Sequence, residues 1–247
     1  MSAQAGRLAG KRAVVTGAGS GIGAAIARQF AAEGARVFAV DLVLPDEVVA
    51  ALGPSGSSAV ADVSVEAEIS AAIAGAAEQW AGLDVLVNVA GIIGPAVELT
   101  EMPAEDFDRV LAVNTRGPFL AMKHAIPAMT TGASIVNMSS LAGLAASPGT
   151  PIAYAASKGA LVAMTKAAAV ACAERGIRVN AICPGLIDTP LITLPPQQRE
   201  RRAIQHPLGR MGRPDEVAQM AVFLACDESS FSTGSTFVMD GGRLARA

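Results

Sequence analysis

The chain has two histidines, His124 and His206. That scarcity argues against a His-rich zinc site. It argues equally against a Ser-His-Asp hydrolase, which would have to be built around one of two rings. The three cysteines, Cys172, Cys183 and Cys226, form no C-x-x-C pair, so they read as small buried apolar residues and do not suggest an oxidising compartment. No run of 18 or more apolar residues exists, so no membrane span is expected. The opening segment MSAQAGRLAGKR lacks the apolar core of a signal peptide, and the expected location is cytoplasmic. No basic block is present. The densest basic group, Arg199, Arg201 and Arg202, is interrupted by Glu200 and reads as a solvated loop face. With a net charge of −3, the chain shows no footprint of a nucleic-acid partner.

Apolar residues, by contrast, are abundant. They make up 51% of 247 residues against 17% charged, which requires a large core or apolar faces buried between subunits. Strand-like runs at 12–16, 36–41, 58–61, 84–88, 134–139, 178–182 and 236–239 alternate with helix-like stretches near 21–33, 65–81, 103–129, 152–174 and 214–226. Continuous apolar strands separated by helices predict a parallel sheet covered on both faces, a doubly wound α/β architecture. No linker or repeat is visible, so residues 1–247 are expected to form one domain. The segment 184–207 carries Pro184, Pro190, Pro195, Pro196 and Pro207 after a strand. Residues 186–207 are therefore expected to form a lid at the carboxyl edge of the sheet.

The first strand runs into Thr16-Gly17-Ala18-Gly19-Ser20-Gly21-Ile22-Gly23. Glycines there let backbone N–H groups approach a pyrophosphate, and the following helix N-terminus adds positive potential. Asp41 closes the next strand, 18 residues after Gly23. A carboxylate at that position accepts hydrogen bonds from ribose hydroxyls and repels a 2′-phosphate. Neither Leu42 nor Ser20 is basic, so the expected cofactor is NAD rather than NADP.

The single tyrosine falls in Tyr154-Ala155-Ala156-Ser157-Lys158. Residues at i and i+4 share a helix face. A free phenol has a pKa of about 10. An ammonium some 4 Å away favours phenolate by roughly 4 kcal/mol at an effective dielectric of about 20, or about three pKa units before desolvation opposes it. The pair is thus a candidate general acid/base.

With these motifs together, the chain resembles the short-chain dehydrogenase/reductase family over essentially its full length, which implies a Rossmann-type fold. Thr16-Gly17-x-x-x-Gly21-x-Gly23 is similar to the family's cofactor loop, and Tyr154-x-x-x-Lys158 to its catalytic pair. Asp62-Val63 resembles the pair flanking adenine, and Asn88-Val89-Ala90-Gly91 the family's N-N-A-G. Asn114 matches the catalytic asparagine and Ser140 the catalytic serine. Pro184-Gly185-Leu186-Ile187-Asp188-Thr189 is similar to the nicotinamide-side motif, so Pro184, Gly185, Ile187 and Thr189 are implied cofactor contacts. Gly209-Arg210 through Asp240-Gly241-Gly242 resembles the family's C-terminal segment.

The resemblance implies that Tyr154 exchanges the hydroxyl proton and that Ser140 stabilises the substrate oxygen. It further implies that Lys158 lowers the tyrosine pKa and binds the nicotinamide ribose, while Asn114 holds a water in a proton relay. Two departures stand out. Val89 replaces the second asparagine, which removes one side-chain hydrogen bond. The interval from Ser140 to Tyr154 is one residue longer than is common, which makes Ser139 a rival for the serine role.

The implied reaction interconverts a secondary alcohol and a ketone with NAD(H). Around the nicotinamide, residues 92–95, 141–152 and 186–194 hold one charge, Asp188, so a neutral, mainly apolar small-molecule substrate is expected. A helix over 154–173 charged only at Lys158 and Lys166 must bury both faces. With the family's habit of pairing this helix between subunits, that predicts a homotetramer. Two alternatives remain open at this point. One is a 3-oxoacyl-carrier-protein reductase, opposed by Asp41 and by the non-basic turn Thr130-Thr131-Gly132. The other is a non-catalytic dinucleotide sensor, opposed by the intact catalytic set.

Overall fold

Strand β1 (Arg12–Thr16) is buried from Ala13 onward, as its Ala-Val-Val run requires. The computed structural model of the chain describes residues 6–54, 56–147, 149–192 and 195–246. After β1 come α1 (Gly21–Ala32), β2 (Arg36–Asp41), α2 (Asp46–Ala51), β3 (Ser57–Val60), α3 (Glu66–Trp80) and β4 (Leu83–Asn88). The second half holds α4 (Ala104–Leu111), α5 (Gly117–Ala125), β5 (Met129–Met138), α6 (Ile152–Cys172), β6 (Arg178–Pro184), α7 (Pro196–Ala203), α8 (Pro214–Ala225) and β7 (Thr236–Met239).

The seven strands form one parallel sheet in the order β3-β2-β1-β4-β5-β6-β7. Side chains alternate across it. Val15, Val85 and Val87 face α1 and α8, where Ile26, Phe30 and Val222 are fully buried. Val14, Leu86 and Ile135 face the other layer, against Ile73 of α3, Leu120 of α5 and Ala169 of α6. Strand order reverses between β1 and β4, and the crevice beyond their carboxyl ends is where such sheets bind ligands. The three cysteines are free and buried. Among the described residues no helix is long and apolar enough to cross a membrane.

The helical stretch expected over 103–129 is broken. Between α4 and α5 lies a π-helical turn, Ala112–Arg116, in which the Gly117 N–H reaches back to the Ala112 carbonyl. Pro118 follows and has no N–H to continue an α-helical ladder. Two short helices were not anticipated, α2 and α7, the latter within the proline-rich segment. Thr130-Thr131-Gly132, expected as a turn, belongs to β5. Pairing with β4 jumps from Met129 opposite Leu83 to Ser134 opposite Val85, so these residues bulge out. They sit at the amino-terminal edge of the sheet, opposite the end where the crevice opens.

At that same edge Arg12 clasps Asp84. Its Nε and Nη2 donate to the two carboxylate oxygens at 2.7 and 2.8 Å. Burial by itself would raise the Asp84 carboxyl. Hydrogen bonds from Arg12 and Thr130 outweigh it and hold the pKa at about 2.

Candidate active site

The crevice is a cleft of about 380 Å³ with the glycine loop on one wall and α6 on the other. Gly17, Ser20, Gly21, Ile22 and Gly23 line its first part. Gly17 adopts φ +68°, and a Cβ there would lie 2.5 Å from the Ala90 nitrogen. The loop can therefore approach the end of β4 only without a side chain.

Asp41, Asp62 and Val63 line the far end. Asp41 Oδ2 accepts the Gly19 N–H at 2.7 Å, and Oδ1 accepts the Leu42 N–H at 2.7 Å. Gly19 itself is a position that sequence reasoning missed. A Cβ on it would meet the Val43 carbonyl oxygen at 2.1 Å, so this glycine both admits and pins the carboxylate. The signal was present as the one glycine of the loop outside the T-G-x-x-x-G-x-G pattern. Asp62 Oδ1 accepts from the N–H and hydroxyl of Ser64 at 2.8 and 2.7 Å, which fixes the turn after β3.

Ala90, Gly91, Ser140, Tyr154, Lys158, Pro184, Gly185, Ile187 and Thr189 line the rest of the cleft. Ile92, Leu191 and Ile192 add apolar wall. Of the segments expected to face substrate, Pro148, Thr193 and Leu194 lie outside the described residues, as do the first five residues of the chain.

Two predicted residues do not line the cleft. Asn88 is buried beneath it, where Nδ2 donates to Asn137 Oδ1 at 2.8 Å and Asn137 Nδ2 donates to Thr165 Oγ1 at 3.0 Å. Asn88 Oδ1 has no partner among the described residues. Asn114 is fully buried in the π-helical turn. Its Oδ1 accepts the Ile92 N–H at 2.8 Å, and its Nδ2 donates to the Ile92 carbonyl at 2.8 Å and to Ser157 Oγ at 3.0 Å. Both amide hydrogens are spent, so Nδ2 has none to give a water. The backbone carbonyl is differently placed. Its α-helical donor would be Pro118, four positions on, which has no N–H. Ser157, three residues after Tyr154, is the second residue that sequence reasoning missed.

The two serines separate cleanly. The Ser139 hydroxyl donates to the Lys158 carbonyl at 2.8 Å and is buried. Ser140 Oγ accepts the Ala142 N–H at 3.1 Å, and its hydroxyl lies within hydrogen-bonding reach of Tyr154 in the cleft. Alternation along the end of β5 is what parts them.

Tyr154 and Lys158 meet as their spacing requires, with Nζ 5.7 Å from the phenol ring centroid. The expected lowering of the tyrosine pKa is absent in this arrangement. Burial pushes the phenol up, and the Ser140 hydroxyl only partly offsets that. Burial also drives Lys158 down, to about 8. Its Nζ donates to the Met138 carbonyl at 2.8 Å. Desolvation penalises the charged form of each.

Residues 17–243 match the model of a family described as enoyl-(acyl carrier protein) reductase. The chain is 43% identical to the 3-oxoacyl-[acyl-carrier-protein] reductase FabG of Thermotoga maritima, over 96% of this chain and 98% of that protein. It is 42% identical to the 2,5-dichloro-2,5-cyclohexadiene-1,4-diol dehydrogenase LinX of Sphingobium indicum, over 96% and 98%. The aldohexose dehydrogenase of Thermoplasma acidophilum superposes with a TM-score of 0.90 at 33% identity, covering 99% of this chain and 98% of that one.

Proposed function

The chain belongs to the short-chain dehydrogenase/reductase family, and from that premise we propose that it is an NAD(H)-dependent enzyme interconverting a secondary alcohol and a ketone. The observation that carries this reading is one cleft with Ser140, Tyr154 and Lys158 at one end and a pinned Asp41 carboxylate at the other. The Gly17 and Gly19 positions, which a Cβ would fill, fit a dinucleotide backbone pressed against the loop. Asp41 would take the adenosine ribose hydroxyls. Ala90, Gly91, Pro184, Gly185, Ile187 and Thr189 would flank the nicotinamide end.

A bound nicotinamide dinucleotide supplies or accepts the hydride. This chain's residues handle the oxygen and its proton. Tyr154 gives the proton to the substrate oxygen in reduction and removes it in oxidation. Ser140, whose Oγ accepts the Ala142 N–H, donates its hydroxyl hydrogen to that oxygen as charge develops. Lys158 keeps one hydrogen on the Met138 carbonyl and has others for ribose hydroxyls. Any relay water at Asn114 would hang on its carbonyl, since its amide hydrogens are occupied.

Ile92, Leu191 and Ile192 favour a neutral, mainly apolar substrate body, including a ring. LinX, whose name gives it a neutral cyclic diol, fits that class. The test is NAD⁺ reduction over a panel of secondary alcohols that includes cyclic alcohols, sugar alcohols and a hydroxycyclohexane carboxylate. A tenfold advantage in kcat/KM for the anionic member would overturn the apolar assignment.

A second reading, a 3-oxoacyl-carrier-protein reductase, is favoured by the identity to FabG. The pinned Asp41 carboxylate would repel a 2′-phosphate, which weighs against NADPH as the cofactor. Activity on a 3-oxoacyl thioester with NADPH above that with NADH would establish it.

We further read residues 1–247 as one domain with a lid at 186–207, in a cytoplasmic homotetramer. One face of α6, with Leu161, Thr165 and Cys172, covers the sheet. The other leaves Ala156, Ala163, Ala167 and Val170 exposed, Val170 at 80%. An apolar outward face of that length suits a two-fold contact.

A further inference from the structure

His206 is 2% exposed and does not itself line the cleft. Its Nδ1 lies 3.0 Å from the Arg202 carbonyl oxygen in the last turn of α7. A carbonyl only accepts, so the ring hydrogen sits on Nδ1. Nε2 is then a bare acceptor, and the Leu186 N–H donates to it at 3.4 Å. A Cβ on Gly185 would lie 3.1 Å from the same Nε2. The ring is packed directly against the backbone that follows β6.

That backbone is a strap with two faces. Leu186 and Asp188 turn outward. The Leu186 carbonyl accepts the Gly212 N–H at 2.9 Å, and the Asp188 N–H donates to the Gly212 carbonyl at 2.9 Å. The Asp188 carboxylate pairs with Arg199 of α7. Ile187 and Thr189 turn inward and line the cleft. Thr189 reaches the glycine loop, where a Cβ on Gly21 would be 3.2 Å from its Cβ. Whatever holds the outward residues therefore sets the position of the inward ones.

We propose that His206 is a positioning residue for the nicotinamide end of the cofactor. Through Leu186 it holds Ile187 and Thr189 against the cleft, and through Arg202 it ties that strap to α7. The proposal rests on the reading that residues 184–189 flank the nicotinamide. It predicts a larger effect on the nicotinamide end of the dinucleotide than on the adenosine end, because Asp41 shares no bond with His206 and only Thr189 of the strap reaches the glycine loop.

The test is calorimetric binding of NADH and of ADP-ribose, which lacks the nicotinamide, to the full-length protein and three variants. His206→Phe keeps the ring shape and loses both hydrogen bonds. His206→Asn keeps a donor near the Nδ1 position but cannot reach Leu186. His206→Gln carries an amide oxygen out to the Nε2 position. One lost hydrogen bond corresponds to about a threefold to tenfold weakening. His206→Asn should weaken NADH by that factor and His206→Phe by at least as much, both leaving ADP-ribose within about twofold, while His206→Gln stays near the wild type. Unchanged NADH affinity in the Asn variant would overturn the proposal. So would equal weakening of both ligands, or a Gln variant no better than Asn. If His206→Phe does not fold, the Asn and Gln pair decides the matter. A wild-type protein that binds neither ligand would instead overturn the cofactor reading itself.

Discussion

Replacing Lys158 by methionine should stabilise the cofactor-free protein while disabling its site. The ammonium is 4% exposed, and among the described residues its one hydrogen-bond partner is the Met138 carbonyl, with no carboxylate paired to it. Burial lowers its pKa from 10.5 to about 8. At 1.36 kcal/mol per pKa unit, that drop corresponds to about 3 kcal/mol of destabilisation at neutral pH, where the group is still protonated. Methionine has a similar length and no charge to desolvate. It leaves the Met138 carbonyl without a donor, which costs about 1 kcal/mol. The net gain is about 2 kcal/mol, or a rise in Tm of roughly 4–8 °C for a chain of this size. The pH dependence supplies a second signature. Between about pH 8 and 10.5 the unfolded chain binds more protons at this position than the folded one, so wild-type stability rises across that window. The advantage of the methionine variant should therefore shrink as pH climbs through it. The assay is differential scanning calorimetry on cofactor-stripped protein from about pH 7 to about pH 10. A lower Tm for a folded Lys158→Met protein at neutral pH, or a difference indifferent to pH, would refute the desolvation argument.

Tyr154→Phe should lower kcat by about 10²–10⁴-fold while NADH titration shows binding preserved, and near-normal turnover would end the proposed acid/base role. Asp41→Ala should narrow the ratio of kcat/KM for NADH over NADPH, because the repulsion of a 2′-phosphate goes and no cationic partner is gained; an unchanged ratio would contradict this. The Asp84 carboxyl has a depressed pKa, so its contribution is present above its ordinary value near 3.8 and lost as pH falls toward about 2. Asp84→Asn should cost about 2 kcal/mol in urea unfolding at neutral pH and much less near pH 2, whereas an equal cost at both would show that the charge is irrelevant. Light scattering at micromolar concentration should report a tetramer, and a monomer would leave the exposed face of α6 unexplained.

Much of the molecule was legible without coordinates. The central strands β1, β2, β4 and β6 followed from apolar runs, because a strand buried on both faces announces itself in consecutive residues. The glycine loop and Asp41 were legible for a similar reason, since a strand, a tight turn and a helix N-terminus are local devices. The pairing of Tyr154 with Lys158 needed only the helical repeat. The break between α4 and α5 was less visible. Pro118 was there to be read, but the π-helical turn that accommodates it depends on Asn114 anchoring to Ile92, 22 residues away.

The sequence by itself determined which chemical groups the chain owns and which of them lie on a common local face. The tertiary structure alone decided what each group is free to do. Ser139 rivals Ser140 in the sequence, where only the motif favours Ser140, and in the fold the Ser139 hydroxyl is taken by the Lys158 carbonyl across the gap between β5 and α6. Asn114 is implied to hold a water, and only the hydrogen bonds to Ile92 and Ser157 show that its amide has no hydrogen left to give one. The spacing of Tyr154 and Lys158 implied a lowered phenol pKa, yet desolvation, a property of everything packed around the pair, moves it the other way. His206 carries no motif at all and acquires its place from Leu186 and Arg202. Periodicity is a property of neighbours along the chain. Burial and hydrogen-bond occupancy belong to residues that meet only after folding, and those are the quantities that set protonation, orientation and reach.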